Sequence, residues 1–239
     1  MAVTVIIPTL NEEDWIASAV TSAFAAGAAE VIVADGGSID RTSRVATSAG
    51  ARMLLSEPMR ARQLNLGADA ASHETLVFLH ADSRLPTGAA AEVEDALMNG
   101  ADFGGFRIAF AEPSRRLRVA AAMINLRTSV TRCPWGDQAQ FIRRETFLKA
   151  GRFLEMPLME DYELAMRMKR RGDEGIVDGE DETARARVGQ CAGDAEDRRL
   201  IVVRTFVNRR NRCRRSLVPL YRDHLFEDLA CRGGDAIEE

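Results

Sequence analysis

The feature that most constrains the fold of this chain is an alternation of short β-branched runs with alanine-rich stretches of helical spacing. The runs that predict strands cover residues 3–7, 30–34, 52–55 and 75–79, and the stretches that predict helices cover residues 15–26, 38–49, 62–71 and 87–100. Connections long enough to hold a helix join parallel strands, because a tight hairpin joins only antiparallel ones. The first half of the chain is therefore predicted to form a doubly wound α/β sheet.

Charge and cysteine content exclude several other classes of protein. The formal net charge of −4 excludes a nucleic-acid binder that relies on bulk positive charge. The four cysteines lack CxxC spacing and there are only three histidines, which argues against a disulfide framework and a structural zinc site. The sequence shows neither a basic leader nor an uncharged apolar stretch of ~18 residues. We therefore expect a cytoplasmic protein with reduced thiols and no transmembrane segment.

Polar residues follow three of the four predicted strands, over residues 8–13, 35–40 and 80–82. In parallel α/β sheets, ligands bind at the carboxyl ends of the strands, so these clusters are expected to meet at one edge. Carboxylates brought together repel each other unless a divalent cation and a nucleotide relieve the repulsion. Asp82 is the predicted metal carboxylate, and His80 is a metal ligand, a hydrogen-bond donor or a structural residue.

Alternative interpretations accompany the other polar residues. Asn11, Asp35 and Ser38 also suit caps and turns. Arg60 and Arg62 precede a helix, where guanidinium groups and free backbone N–H groups suit a diphosphate, although two solvated arginines explain the same pattern.

The second half of the chain adds three predicted elements. Residues 101–110 predict a strand with close backbone approach at Gly104 and Gly105. Residues 114–130 predict an arginine-flanked helix, either a membrane-surface element or a helix packed on the core. Glu160 and Asp161 begin a further predicted helix, where acidic residues favour the helix dipole.

Taken together, these clusters resemble the family 2 glycosyltransferases of GT-A fold. The motifs that carry the resemblance are VIIPTLNE at residues 5–12, VIVADGGS at 31–38 with Asp40 and Thr42, LHAD at 79–82, and Glu160-Asp161. RARQLN at 60–65, FLHAD at 78–82 and WGDQ at 135–138 are similar to the branch associated with radical-SAM and arsenosugar biosynthesis genes. The resemblance covers residues 2–171. It implies a GT-A domain over residues 1–171, with a three-layer α/β/α fold and a mainly parallel central sheet.

The resemblance also implies roles for individual residues. Asp82 matches the last carboxylate of the metal-binding DxD motif, with His80 in place of the first Asp, and Asp161 matches the general base, with Glu160 beside it. The implied nucleotide-binding residues are Pro8, Thr9, Asn11, Glu12, Asp35, Gly36, Arg60, Arg62, Gln63 and Ala81. The implied acceptor or sugar residues are Trp135, Gly136, Asp137 and Gln138.

The implied reaction moves a sugar from a UDP- or GDP-sugar to a hydroxyl of a small-molecule or lipid acceptor, with Mg²⁺ or Mn²⁺ and inversion at the anomeric carbon. A sugar-phosphate nucleotidyltransferase lacks support, since no glycine-rich basic loop follows the first strand. A dinucleotide-dependent oxidoreductase lacks its GxGxxG spacing. A degenerate, non-catalytic sugar-nucleotide-binding protein and the nucleotidyltransferase are kept as alternatives.

The C-terminal part differs in composition from the rest. Of the 67 residues 173–239, 27 are charged, and only residues 200–207 and 217–221 are apolar enough to pack. Residues 172–239 are therefore interpreted as a charge-rich extension that is divergent, partly disordered or the product of a shifted reading frame.

Overall fold

Four parallel strands form the centre of the fold. A computed structural model describes residues 2–111, 114–171, 178–179 and 201–208. The parallel strands are β1 (Val3–Thr9), β2 (Glu30–Asp35), β3 (Arg52–Leu55) and β4 (Thr75–Phe78), in the order β3-β2-β1-β4. The register pairs Thr9 with Asp35, so the polar segments after β1 and β2 begin side by side. The predicted parallel arrangement of the first half is confirmed.

Helices cover both faces of this sheet. They are α1 (Ile16–Ala25), α2 (Thr42–Ser48), α3 (Arg60–Ala70), α4 (Ala89–Met98), α5 (Arg115–Thr131), α6 (Arg144–Ala150) and α7 (Glu160–Arg171). Side chains alternate across a strand, so Ile7 packs with the core shared by α1, α2, α4 and α5, whereas Ile6 packs with α3, α6 and α7. The result is the predicted three-layer α/β/α architecture.

The second half widens the sheet with strands of mixed direction. These are β5 (Ser83–Arg84), β6 (Phe103–Phe110), β7 (Phe141–Arg143), β8 (Asp178–Gly179) and β9 (Ile201–Asn208). Strand β7 lies antiparallel between β4 and β6, and β9 is antiparallel to β6, so the doubly wound prediction holds only for the first half. A Cβ at Gly104 would lie 2.3 Å from Phe141 Cζ, which confirms the close approach predicted there.

Some predicted boundaries were wrong. Helix α2 begins at Thr42 rather than at residue 38, because the Ser38 hydroxyl bonds to Asp35 instead of capping a helix. Helix α6 was not predicted. None of the helices within the described residues is long and apolar enough to cross a membrane.

Part of the charge-rich extension joins the sheet. Strand β9, which includes residues 201–207 of the apolar run, pairs with β6 from Gly105↔Phe206 to Phe110↔Ile201. Residues 217–221, and most of the extension over 172–239, lie outside the described residues.

Candidate active site

The loops after β1 and β2 form one hydrogen-bonded unit, here called the loop cluster (residues 9–13 and 35–43). The backbone N–H of Asn11 donates to Ser38 Oγ at 2.8 Å, and Asn11 Oδ1 accepts from the backbone N–H of Ile39 at 3.0 Å. Asn11 itself has a left-handed backbone with φ of 58°, which asparagine tolerates better than most residues. These reciprocal bonds fix the two loops against each other.

Asp35 organises this cluster from inside. It is buried, and its Oδ1 accepts from Thr9 Oγ1 at 3.1 Å and from the Ser38 hydroxyl. Its Oδ2 accepts from the Ser38 backbone N–H at 3.0 Å and from Ser43 Oγ at 3.3 Å. Both carboxylate oxygens are therefore engaged within the protein, and a nucleotide contact for Asp35 stays a prediction.

Gln63 and Gly36 hydrogen-bond to the strand ends from which the loop cluster begins. The Gln63 side-chain amide donates to the Thr9 carbonyl at 2.7 Å and to the Ala34 carbonyl at 2.8 Å, tying the ends of β1 and β2 together. The Gly36 backbone N–H donates to the same Thr9 carbonyl at 2.8 Å. The side-chain amide of Gln63 thus holds together the two strand ends that carry predicted nucleotide-binding residues. Pro8, another of these residues, lies within β1.

Glu12 and Asp82 form the acidic part of this sheet edge. Burial raises the pKa of Glu12, and the neighbouring carboxylates of Asp82 and Asp40 raise it further. Asp82 follows β4, directly after the buried Ala81, and accepts from Ser83 Oγ at 3.2 Å. Within the described part of the chain, no group of three or more His, Cys, Asp or Glu side chains is arranged to hold a metal ion. One or two carboxylates suit Mg²⁺ or Mn²⁺ only when substrate phosphates complete the shell.

A second group of charged residues, here called the charged cleft, comprises Arg60, His80, Asp137, Glu160 and Asp161. Arg60 begins α3, and its Nε donates to Glu160 at the start of α7. The other guanidinium nitrogens lie 3.7 Å from Asp161 Oδ1 and 3.5 Å from His80 Nε2. Burial and the charge of Arg60 lower the pKa of His80, against the opposing effect of the three aspartates Asp82, Asp137 and Asp161.

Two buried carboxylate oxygens in the charged cleft have no hydrogen-bond donor among the described residues. Asp161 Oδ2 accepts from the Gly136 backbone N–H at 2.5 Å, but Asp161 Oδ1 has no such donor. Asp137 Oδ1 is also buried without a donor. Burial raises the pKa of Asp137; His80 and Arg127 oppose this shift and Asp161 adds to it. These oxygens are free to accept hydrogen bonds from a ligand.

Gly136 permits this arrangement because it has no side chain. A Cβ at this position would lie 2.6 Å from Asp161 Oδ2 and 3.1 Å from His80 Nε2. Any larger residue would displace one of these groups.

Comparison with known protein families shows which family the chain belongs to. A family model described as Glycosyl transferase family 2 matches residues 4–152. The chain belongs to glycosyl transferase family 2. Its matched part contains the loop cluster and three of the five charged-cleft residues, while α7 with Glu160 and Asp161 follows the matched range.

Solved structures show the fold of this family 2 glycosyltransferase. A crystal structure titled as a mycobacterial protein matches with 22% identity and a TM-score of 0.55, over 89% of this chain and 68% of that one. S. aureus TarS 1-349 matches with 16% identity and a TM-score of 0.54, over 70% and 55%. Glucosyl-3-phosphoglycerate synthase from Mycobacterium tuberculosis, crystallised with Mn²⁺, UDP and phosphoglyceric acid, matches with 23% identity and a TM-score of 0.52, over 72% and 65%. This chain thus spans about half to two thirds of the length of the latter two proteins. A comparison with curated proteins finds no match.

The structure does not bring every predicted residue of this family 2 glycosyltransferase into the site. Arg62 pairs with Glu155 at 2.8 Å and with Glu57 on the surface, whereas Arg60 faces the charged cleft. Gln138 is fully buried: its Oε1 accepts from Thr128 Oγ1 at 2.7 Å, and its amide donates to the Phe106 carbonyl. In this conformation Gln138 anchors its loop rather than facing a ligand.

The sequence reasoning missed two residues beside Trp135. The Arg127 guanidinium lies 3.6 Å from the centre of the Trp135 ring, and Tyr162 contacts the same ring edge-on, with centroids 5.9 Å apart. Tyr162 directly follows Asp161, which was its only sequence signal. Arg127 was noted as one arginine of a basic helix, and nothing in its spacing indicated a tryptophan partner.

Proposed function

We propose that this chain transfers a sugar from a nucleotide-diphosphate donor to an acceptor hydroxyl, with inversion at the anomeric carbon and dependence on Mg²⁺ or Mn²⁺. Membership of glycosyl transferase family 2 supports the class of reaction. The observation that carries the mechanism is Asp161, whose Oδ1 is buried in the charged cleft without a hydrogen-bond donor among the described residues. A carboxylate oxygen in this state is suited to accept the proton of an acceptor hydroxyl.

The proposed reaction is a single displacement. The acceptor oxygen attacks the anomeric carbon while the bond from that carbon to the diphosphate oxygen breaks, and the hydroxyl proton passes to Asp161. Attack from the face opposite the diphosphate inverts the anomeric centre. The Gly136 N–H bond to Asp161 Oδ2 holds the carboxylate so that Oδ1 stays turned to the ligand.

The donor would lie between the loop cluster and Asp82. Asp82, with the neighbouring Glu12, would hold Mg²⁺ or Mn²⁺, since both carboxylates lie at the sheet edge and hard cations prefer oxygen ligands. Such an ion neutralises charge on the leaving diphosphate. Arg60 supplies a further positive charge at this edge. His80 fits the metal role less well, because its Nε2 lies 3.5 Å from the cationic Arg60.

The M. tuberculosis synthase crystallised with UDP and Mn²⁺ makes a UDP-sugar and Mn²⁺ the first combination to test here. We infer a small-molecule or lipid acceptor and a cytoplasmic location as extensions of the same proposal. The similarity to the branch associated with arsenosugar biosynthesis rests on three sequence motifs, RARQLN, FLHAD and WGDQ, and it stays a prediction.

The experiment measures nucleotide binding and release by the purified chain with UDP- and GDP-sugars and Mn²⁺. Asp161→Asn should keep nucleotide binding but lower the transfer rate by about 10²- to 10⁴-fold, the usual contribution of a general base. Asp82→Ala should lose the Mn²⁺-dependent part of nucleotide binding. Asp95→Asn, an exposed position on α4, is the matched control and should behave as wild type.

The outcomes separate the alternatives. If wild type neither binds nor releases nucleotide, the enzyme proposal fails. Binding without release, for any acceptor offered, would indicate the non-catalytic sugar-nucleotide-binding protein instead. Full activity in Asp161→Asn would refute only the base assignment. The anomeric configuration of the product, measured by NMR, tests inversion.

A further inference from the structure

Helix α5 has two apolar faces, and only one of them is used by the core. Ala121 and Thr128 are buried, and the Asn125 side chain bonds both the backbone N–H and the carbonyl of Ile108 in β6, each at 2.9 Å. Ile124 packs against the main core cluster. This face confirms the interpretation of α5 as a helix packed on the core.

The opposite face of α5 is apolar and exposed. It is formed by Val119, Met123, Leu126 and Val130, which are 54%, 66%, 64% and 75% exposed. Their spacing of four, three and four residues places them on a single stripe of the helix. We call this stripe the outer face of α5. An exposed stripe of four large apolar side chains on one helix is typical of a surface that contacts a partner.

The charges of α5 indicate what that partner is. Residues 114–132 contain five arginines and no acidic residue, although the whole chain carries a net charge of −4. Arg115, Arg116 and Arg118 are exposed, and none of the three pairs with a carboxylate of the described residues. A local excess of positive charge next to an apolar stripe complements an anionic lipid surface, where apolar side chains enter the headgroup boundary and arginines face the phosphates.

We propose that α5 is a peripheral membrane-binding element whose outer face lies on an anionic lipid bilayer. The inner face of α5 packs on β6, and no helix of the described residues is long and apolar enough to cross a membrane, so α5 would lie in the interface rather than span it. Helix α5 also borders the charged cleft, because Arg127 stacks on Trp135. A lipid acceptor would therefore be bound close to the site; this last consequence, unlike the membrane contact, rests on the proposed function.

The test is co-sedimentation of the full chain with vesicles of phosphatidylcholine, with and without phosphatidylglycerol, in the absence of any sugar nucleotide. Wild type should bind the vesicles that contain phosphatidylglycerol and dissociate as salt is raised. The double variant Met123→Glu, Leu126→Glu should lower partitioning on the order of a hundredfold, because two apolar side chains no longer enter the interface. The double variant Leu55→Glu, Met98→Glu is the matched control, since both residues are exposed apolar positions outside α5, and it should bind as wild type.

A second pair of variants tests the charge. Arg115→Gln, Arg116→Gln, Arg118→Gln should weaken binding to anionic vesicles on the order of a hundredfold, at about fivefold for each arginine. Arg44→Gln, Arg170→Gln, Arg171→Gln changes the net charge equally at exposed positions elsewhere and should bind as wild type. Circular dichroism of every variant checks that the fold is retained.

Three results would overturn the proposal. One is wild type that does not bind anionic vesicles. Another is equal loss of binding in the α5 variants and their matched controls. The third is a wild-type dimer in analytical ultracentrifugation that Met123→Glu, Leu126→Glu dissociates without any vesicle binding, which would assign the outer face to a second copy of the chain. Because no sugar nucleotide is used, none of these results bears on the transferase proposal.

Discussion

The loop cluster and the charged cleft lie at the same edge of the sheet, but their carboxylates are satisfied in different ways. Asp35 accepts hydrogen bonds on both oxygens, and Asp40 accepts from the Thr42 backbone N–H at 2.9 Å and the Glu13 backbone N–H at 3.2 Å. Asp137 and Asp161 each keep one buried oxygen with no donor among the described residues. Buried polar groups normally have partners, and on the proposed function a ligand would supply the missing donors.

This difference indicates that the two regions have different roles in the candidate site. The loop cluster is complete without a ligand, so its shape is fixed before the donor arrives. In the charged cleft, one buried oxygen each of Asp137 and Asp161 lacks a donor among the described residues, which costs free energy of folding. A site that retains such groups commonly trades stability for function. The following substitutions test whether the two regions respond oppositely.

The largest effect on stability is expected for Asp35→Asn in the loop cluster. Asparagine has one acceptor oxygen in place of the two of Asp35, so the four hydrogen bonds that Thr9, Ser38 and Ser43 donate to the carboxylate cannot all be kept. We expect a loss of about 2 kcal/mol in the free energy of unfolding. Thermal denaturation should show this as a fall in Tm of about 4–8 °C.

The exposed control for this substitution is Asp95→Asn, which should change stability by less than about 0.5 kcal/mol. An Asp35→Asn variant as stable as Asp95→Asn would show that the hydrogen bonds to Asp35 do not hold the loops. The loop cluster would then not differ from the charged cleft in the stability of its carboxylates.

Much of the fold could be predicted from the sequence, because each parallel strand is a local β-branched run followed by a helix of its own. Strand β3 was predicted with the bounds Arg52–Leu55 that the structure gives. Residues 139–142 are strand-like in the sequence, but the antiparallel direction of β7 between β4 and β6 depends on tertiary pairing that no local pattern records. Strand β9 pairs with β6 from about a hundred residues away, so its partner was not predictable from local spacing.

The sequence could propose residues for the candidate site, but it could not predict the contacts between them. Asp82 and Asp161 were singled out by motif, but the ion pair between Arg60 and Glu160 joins residues 100 positions apart. The sequence treated Arg60 and Arg62 as equivalent, and only the helix geometry turns Arg62 towards Glu155. The resemblance implied an acceptor or sugar contact for Gln138, whereas in the structure its buried amide oxygen accepts a hydrogen bond from Thr128 and holds the loop.

A smaller and opposite effect is expected for Asp137→Asn in the charged cleft. Because burial raises the pKa of Asp137, its charged form is disfavoured in the folded state, and removing the charge should stabilise the protein by about 0.5–1 kcal/mol at pH 7. A carboxyl group with a raised folded pKa destabilises the fold only where it is ionised. The gain over wild type should therefore disappear as the pH falls below about 4, where the group is protonated in both states.

Urea denaturation at pH 7 and pH 4 measures this difference. A destabilised Asp137→Asn at pH 7, comparable to Asp35→Asn, would mean that the carboxylate has protein partners after all. The two regions would then not differ in the way proposed.

The smallest effect concerns His80, the one histidine of the charged cleft. Burial and the charge of Arg60 lower the pKa of His80 in the folded state below its ordinary value near 6.5. At a pH between these two values, the unfolded state binds more protons than the folded state. The stability of the wild type should therefore fall as the pH drops below about 6.5. His80→Gln should flatten the dependence of Tm on pH between 7 and 5, as measured by thermal denaturation. If the dependence of Tm on pH is unchanged in His80→Gln, the groups that make stability sensitive to acid lie outside the charged cleft. If it is flattened, the charged cleft, rather than the loop cluster, is the part of the site that responds to pH.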